Sequence, residues 1–570
     1  MLRLSKNSKV DFDKYLERLS YLGYIYYNLE KIEYPISRLK LLKSSLSDYI
    51  YRFLLEASGG SVVGIQRSSV KNYLLNIAKV PESLLTVVNR KDGNNYTTIS
   101  IDAEHLTSAK DRGFACEFID MWLEYTSLTS QIGLIEGLIN LMTDSVTKKN
   151  SIGQTLYGVS YSINYSDSFR TYYKNFAHQQ VPKQFLSSLD TPAGYTMVKG
   201  DFGQSDLKIV YNMLLKDKSN IDTMFRFPDS YEGMARLTEG SNFSLETFKE
   251  DRDLYKQNTL SPIYGGTSAS TSQAQKIIDN VNRYLENLPV YQDYKKRIKK
   301  KIDCNLPVVL NTYFGNSIEI VDFDRNSKKI MDKALNTPAQ AGTSEVVIMC
   351  ANSILDKFEE YGITPENGGV YLYLNRHDEL VFLLNNEYLE YSWIFQENED
   401  ILIEGWMPLR IEFSFTDNYL IDNPEIDRLA KTYYKTLEPI NIDNLIESAL
   451  KSEYFIPCED TKVYYIGIYS DGGSSCIVFL NENKDVEMAK LVNSDNKDVL
   501  LGSIVNIIGE KHLELLQQNC TSVCVYTTMV TDDVSVSKGL PIVLKSNFSD
   551  AIYRTAIKEA KLRFDKAKNN

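Results

Sequence analysis

The chain has 570 residues, of which 43% are apolar and 24% charged, and it carries a net charge of −12. One hydrophobic core stops growing at about 250–300 residues, so several subdomains are expected, with a composition ordinary for a soluble globular protein. No run approaches the roughly 20 apolar residues of a membrane span, and Met1-Leu2-Arg3-Leu4-Ser5-Lys6 lacks a signal-peptide apolar core. Seven scattered cysteines suit free thiols in a reducing compartment rather than a disulfide framework. A cytoplasmic protein without a membrane partner is therefore expected. The acidic balance weighs mildly against nucleic acid, because phosphate binding wants a basic footprint, but a cleft can be locally basic on an acidic protein.

In chain order, Leu16, Leu19, Leu22, Tyr26 and Leu29 recur at helical spacing, as do Leu39, Leu42, Leu46, Ile50 and Leu54. That pattern predicts helices over about 11–58, closed by Gly59-Gly60. Another helix holds Trp122-Leu123-Glu124-Tyr125-Thr126-Ser127-Leu128. Val198-Lys199-Gly200-Asp201 reads as a strand ending in a carboxylate, followed by Phe202-Gly203-Gln204-Ser205-Asp206-Leu207-Lys208. Arg252, Lys256, Leu260 and Tyr264 stand four apart, one drifting stripe on a helix. Taken alone, such a stripe also fits a solvated face with an apolar edge. Pro262 removes a backbone donor there and predicts a kink or an early end. Tyr371 to Phe382 then places His377-Asp378-Glu379 in a tight turn between two apolar runs. A strand is expected up to Phe415, a linker helix over 426–450, and a β-β-β-α-β order beyond 455, with its helix near 497–516.

The chemistry follows from three of these segments together. Hard divalent cations want carboxylate oxygens held rigidly, and an acidic turn alone is common. Two carboxylates from separate strands, with an Arg and a Lys one helical turn apart, are what two-metal phosphoryl transfer from a triphosphate requires. Glu379 is adjacent to Asp378 but should point away from it, since side chains alternate along a strand.

These segments resemble motifs A, B and C of the DNA polymerase I family (family A), in that family's order and roughly its spacing. Asp201 to Lys208 are similar to Asp-Tyr-Ser-Gln-x-Glu-Leu-Arg, and His377-Asp378-Glu379 match His-Asp-Glu. Arg252, Lys256, Tyr264 and Gly265 match Arg-x3-Lys-x3-Phe-Gly-x2-Tyr-Gly, with Leu260 and Ser261 replacing Phe and Gly. Arg170, Gln179 and Pro182 are in register with a fourth segment. Asn336-Thr337-Pro338-Ala339-Gln340 resembles the Asn-x-Pro-x-Gln helix, and Thr312-Tyr313-Phe314-Gly315 resembles Thr-Leu-Phe-Gly.

The resemblance implies an α+β right-hand polymerase fold with palm, fingers and thumb, and an extra C-terminal α/β domain. Its expected parts are N-terminal helices over 1–58, a thumb over 59–150, palm and fingers over 151–425, a linker over 426–454 and an accessory domain over 455–570. It implies a template-directed DNA polymerase that binds primer-template DNA and deoxynucleoside triphosphates. Asp201, Asp378 and the Phe202 carbonyl are expected to hold two Mg2+ ions, with Mn2+ as a substitute. Gln204, Asp206, Arg252, Lys256, Leu260 and Tyr264 are expected at the nucleotide, Lys256 also as a general acid on pyrophosphate. Arg170, Gln179, Asn336, Gln340 and His377 are expected to contact primer or template, with Glu379 in support. Asp206, at the sugar-gating position, favours deoxynucleotides.

Where the family differs, the chain is informative. Asp102-Ala103-Glu104 could read as the first motif of a proofreading exonuclease, but it also matches the thumb segment, where an acidic residue favours a helix start; no exonuclease is expected. The C-terminal order resembles a ribonuclease H-like fold whose first strand ends at Asp471. Thr527 or Thr528 stands where a later Asp is expected, so an inactive domain that docks a replisome protein is the reading. Cys458, Cys476, Cys520 and Cys524 lack paired Cys-x2-Cys hooks for zinc. A single-subunit RNA polymerase and a structural replisome subunit remain the alternatives.

Overall fold

The strand β2, Tyr195–Phe202, has side chains buried on both faces along most of its length, as expected of a central strand covered on two sides. Together with β1 (Leu2–Leu4), β3 (Val370–Arg376), β4 (Glu379–Asn385), β5 (Asp400–Ile403) and β6 (Met407–Thr416), it forms a six-stranded sheet in the order β1-β5-β6-β2-β4-β3. All pairings are antiparallel except β1 with β5. This structure is a computed structural model. It describes residues 1–452 apart from 6, 61–63, 92–93, 144, 167, 216, 267–270, 305–307 and 321–326. Beyond them it describes 463–471, 474–480, 485–493, 503, 507, 522–527, 542–545, 558, 560–563 and 565.

The chain divides into two units, Met1–Tyr284 with Gln340–Glu453, and Leu285–Ala339 with Tyr454–Asn570. In the first, phenylalanines pack against the sheet: the Phe395 ring lies 5.3 Å from those of Phe358 and Phe382 and 5.1 Å from Phe413. A second core gathers Tyr26, Tyr27, Tyr161, Tyr173, Phe185, Met197 and Tyr373. Its polar tips find partners, as buried phenols must: Tyr373 Oη accepts from the Tyr26 N–H at 2.6 Å, and Tyr27 Oη meets His178 Nδ1 at 2.7 Å. Burial pushes His178 down to about 3, so it stays neutral there.

The early helical expectation holds only in part. Helices run Phe12–Ser20 and, as α1, Glu30–Ala57, but Tyr24–Asn28 between them is a strand. Gly23 at φ +72° turns the chain between the helix end and the strand, and a Tyr-Ile-Tyr-Tyr run suits a pleated surface better than a helix. Ile50 and Leu54 of α1 share a core with Phe118, Ile119 and Trp122 of α2, Cys116–Met142. Residues 424–451 form two helices, Pro424–Lys431 and Ile442–Lys451. The second buries Leu445, Ile446 and Ala449, and the first unit extends through Glu453.

In the second unit, Val308–Asn311 and Ser317–Ile320 pair as a hairpin around Thr312-Tyr313-Phe314-Gly315, with Gly315 at φ +86°. Five further strands, β7 (Val463–Asp471), β8 (Ser474–Leu480), β9 (Val486–Asn493), β10 (Ser522–Thr527) and β11 (Ile542–Lys545), lie in the order β9-β8-β7-β10-β11. β8 runs antiparallel to both neighbours, while β10 is parallel to β7 and β11. Most of the helix expected near 497–516, together with Thr528, Cys458 and Cys520, lies outside the described residues.

One buried carboxylate ties distant segments of the first unit. Asp190, 3% exposed, accepts hydrogen bonds from Lys31 at 2.8 Å, Asn418 at 2.6 Å, Asn28 at 3.2 Å and Asn150 at 3.4 Å. Removing one partner of a buried, multiply bonded charge leaves the others desolvated and unpaired. Asp190→Ala should therefore lower stability by about 3 kcal/mol, read as a fall in the urea midpoint. Asp422→Ala, which removes the exposed partner of Lys199, should cost less than about 0.5 kcal/mol.

Candidate active site

Register brings the two expected carboxylates together. Asp201 is the exposed residue between buried Gly200 and buried Phe202 on β2, and Glu379 on β4 and Glu412 on β6 lie directly opposite it. β3 and β4 are joined by a two-residue turn, His377-Asp378, closed by Arg376 opposite Glu379. His377 sits at φ +61°, the left-handed conformation that a two-residue hairpin asks of its first residue. The Phe202 N–H donates to the Asp378 carbonyl at 3.4 Å, which fastens the turn to the end of β2. Gln204, the residue before α3 (Ser205–Leu214), and Phe169, the residue before Arg170, are also left-handed, at φ +60° and +57°. Strained backbone of this kind persists where surrounding structure over-determines it, and here it lies beside three of the expected site residues.

The pair is short of positive charge. Although Asp201 is open to solvent as a residue, partial desolvation of its carboxyl holds it above its usual range, Asp378 and Glu412 add repulsion, and Lys256 draws it back. Asp378 is also raised, by burial first and then by the charge of Asp206, against a backbone hydrogen bond and the charges of Arg170 and His377. Burial, followed by the charge of Arg170, pushes His377 down. Partly desolvated carboxylates that repel one another are a donor set suited to a hard divalent cation. Among the described residues, no cluster of three or more His, Cys, Asp or Glu side chains offers a complete protein cage, so the two carboxylates would leave further coordination to backbone, water and substrate oxygens.

The basic stripe lies on α5, Arg252–Ile263, which ends one residue past Pro262, with Tyr264 as its C-cap. Tyr264 nevertheless reaches the motif: its hydroxyl donates to Asp206 Oδ2 at 2.8 Å. Arg170 approaches the same oxygen at 3.3 Å, and Thr343 of α6 (Ser327–Glu360) donates to Oδ1 at 2.5 Å. Arg252 pairs with Asp229 at 2.5 Å. That carboxylate also caps α4, Ser230–Glu239, and accepts from the Gln204 side-chain amide at 3.1 Å, while Gln204 Oε1 accepts from the Ser230 N–H. Lys256 is exposed and Leu260 half-buried.

Asp229 and Thr343 were not anticipated from the sequence. Asp229 carries a cap signal, an acidic residue just before a helix, whereas nothing marks Thr343 among the small residues of a buried helix. Gln179 donates from Nε2 to the carbonyls of Thr171 at 2.6 Å and Asn375 at 3.2 Å, so its amide braces the turn strand. Tyr419 Oη donates to Glu379, whose carboxyl burial raises first. Gln340 lies on α6 in the first unit and Asn336 in the second. Asp102 precedes a helix, Ala103–Asp111, and its carboxylate bonds to Ser100 at 2.7 Å and Arg67 at 2.9 Å.

No family model matches the chain, and no curated protein matches it. Among solved structures it is similar to the POL domain of Pol1 from M. smegmatis in complex with DNA primer-template and dNTP. The TM-score is 0.53 at 16% identity, over 71% of this chain and 70% of that one. The likeness shows a polymerase-domain fold, and the function has to be argued from the site. No described helix is long and apolar enough to cross a membrane.

The glycine before Asp201 is a steric requirement. A Cβ at Gly200 would lie 2.5 Å from Phe413 Cε1 and 2.7 Å from Ile411 Cδ1, and the Phe413 ring is already packed on Phe395. Gly200→Ala should cost about 1–3 kcal/mol through overpacking. Gly203→Ala, whose Cβ would meet only the Arg410 carbonyl at 3.7 Å, should change stability by less than about 0.5 kcal/mol. Paired urea titrations check both.

Proposed function

We propose that this chain is a template-directed DNA polymerase that extends a primer 3′ end with deoxynucleotides. The observation that carries the reading is the convergence of Asp201, Asp378 and the Lys256 charge, beside an Asp206 held by Tyr264 and Arg170, on a polymerase-domain fold. In this reading the six-stranded sheet is the palm, α1 belongs to the N-terminal helices, α2 to the thumb and α5 to the fingers. Asp201, Asp378 and the Phe202 carbonyl would hold Mg2+, with Mn2+ able to substitute; the bound ions supply charge neutralisation and a lowered pKa for the primer hydroxyl. Arg252 and Lys256 grip the triphosphate tail, and Lys256 delivers a proton to the departing pyrophosphate. Leu260 and Tyr264 pack on sugar and base. Arg170, Gln179, Asn336, Gln340 and His377 border primer and template, with Glu379 in support.

Two finer proposals accompany it. Asp102, bonded to Ser100 and Arg67 at a helix start, serves the fold rather than proofreading chemistry, and the chain is read as lacking an exonuclease. The order β9-β8-β7-β10-β11 supports a ribonuclease H-like accessory domain. With Thr527 ending β10, that domain is read as noncatalytic and as a docking element for a replisome protein.

Primer extension tests the reading directly. Asp378→Asn should remove at least ~10³ of the extension rate while leaving folding and DNA binding near normal, because it deletes charge where the ions bind. Extension within tenfold of the parent would overturn the assignment.

Sugar choice separates this reading from an RNA polymerase. Asp206 is acidic and held by three donors, so its carboxylate forms a fixed wall where a 2′-hydroxyl would sit. Asp206→Ala should raise ribonucleotide incorporation relative to deoxynucleotide by ~10–100-fold, the effect of losing a clash of ~1.4–2.8 kcal/mol. Single-nucleotide incorporation kinetics with matched ribo- and deoxynucleotides measure it; an unchanged ratio would show that Asp206 does not face the ribose.

A further inference from the structure

The residue that closes the acidic turn is an arginine, and its guanidinium is directed away from the reaction. Arg376 Nε donates to the Gln179 carbonyl at 3.2 Å, one terminal nitrogen donates to the Val181 carbonyl at 3.4 Å, and the other meets Tyr419 Oη at 3.4 Å. Tyr419, buried, donates its own hydroxyl to Glu379, the next residue after Asp378 and the one paired with Asp201 across the sheet. The tyrosine is itself fixed. Its N–H donates to the Leu189 carbonyl at 3.0 Å, its carbonyl accepts from Lys199 Nζ at 2.9 Å, and the Arg376 guanidinium lies 5.9 Å from its ring centre. Lys199 is on β2, two residues before Asp201.

We propose that Arg376 and Tyr419 form a clamp that positions the His377-Asp378 turn against β2, and that they act as positioning residues for the chemistry assigned above. The inference rests on that functional reading. A two-residue turn held at φ +61° by a non-glycine residue needs outside support, and a planar, five-donor guanidinium supplies it in a way that a lysine cannot. The clamp joins three segments: the 179–181 stretch through Arg376, the turn through Arg376 and Glu379, and β2 through Lys199. Loosening it displaces Asp378 from Asp201 without removing a metal-binding oxygen. Metal-dependent turnover therefore suffers, while the contacts that set nucleotide affinity, on Arg252, Lys256 and Tyr264, remain.

The test uses the full chain in primer extension. Tyr419→Phe and Arg376→Met should each lower kcat about tenfold, raise the Mg2+ concentration for half-maximal rate several-fold and, without turnover, weaken Mn2+ binding several-fold as read by its spin-resonance signal. The nucleotide KM should stay within about twofold. The double variant should fall no further than the worse single one, because both remove one clamp. Arg376→Lys should recover little. Variants with lowered urea midpoints but parental kcat and Mg2+ dependence would show a merely structural role and overturn the proposal, as would losses that multiply in the double variant. Should Arg376→Met fail to fold, Tyr419→Phe, which removes only a hydroxyl, decides the question alone. The parent's own extension, and its loss in Asp378→Asn, judge the functional reading independently of the clamp.

Discussion

The antiparallel register between β2 and β4 is the constraint on which the site depends. With Glu379 opposite Asp201, the turn before Glu379 has one place to go, and Asp378 arrives at the end of β2. Leu380 to Leu384 are essentially inaccessible on both faces of β4, so a slip of one residue toward the middle of β2 would carry the charge of Glu379 into that apolar run. The hydrophobic pattern thereby enforces the position of a charged group. Gly200 contributes from within β2, since only a missing Cβ lets Phe413 and Ile411 close over the strand beside Asp201.

A second level of order is electrostatic. Asp201 and Asp378 are both held above their usual range by burial, and neighbouring carboxylates add to the effect. Folding has placed like charges together at a cost, and strained or repulsive arrangements of this sort concentrate where function selects them. Two of the surrounding cations are already committed, Arg170 to Asp206 and Arg252 to Asp229. These pairs hold long side chains in place before any ligand arrives, which reduces the ordering cost of binding.

The strand end, the turn and the helix that carry the candidate site were legible in the sequence because each is local. Gly200-Asp201 at a strand end, the His377-Asp378 turn and the four-residue repeat from Arg252 each carry their own backbone instructions, and the structure places them as those instructions imply. The Tyr24–Asn28 strand was not legible, since its apolar residues also fit a helical period and a strand partner, Thr155–Ser160, supplies the decision from far along the chain. Thr343, Asp190 and Tyr419 were invisible for the same reason. Each matters through contacts with residues distant in sequence, and a lone Thr, Asp or Tyr has no periodicity to announce it.

The net acidity of the chain, which weighed against a nucleic-acid partner, takes on a different meaning in this light. Under the proposed function, an incoming triphosphate does not meet a bare basic cleft. A phosphate reaching Arg252 would have to compete with Asp229, the carboxylate already paired with it, and would present more oxygens and more charge. Such an exchange would yield less affinity than filling an empty site, because the resident ion pair must first be broken, but it would discriminate by charge and geometry: a ligand too weakly charged to displace Asp229 would leave the contacts of Arg252 and Gln204 as they are. Because Asp229 also caps α4 and holds Gln204, beside the α3 start that carries Asp206, its release would be felt at the sugar wall as well as at the phosphates. Recognition of the tail and of the sugar would then be coupled through one carboxylate.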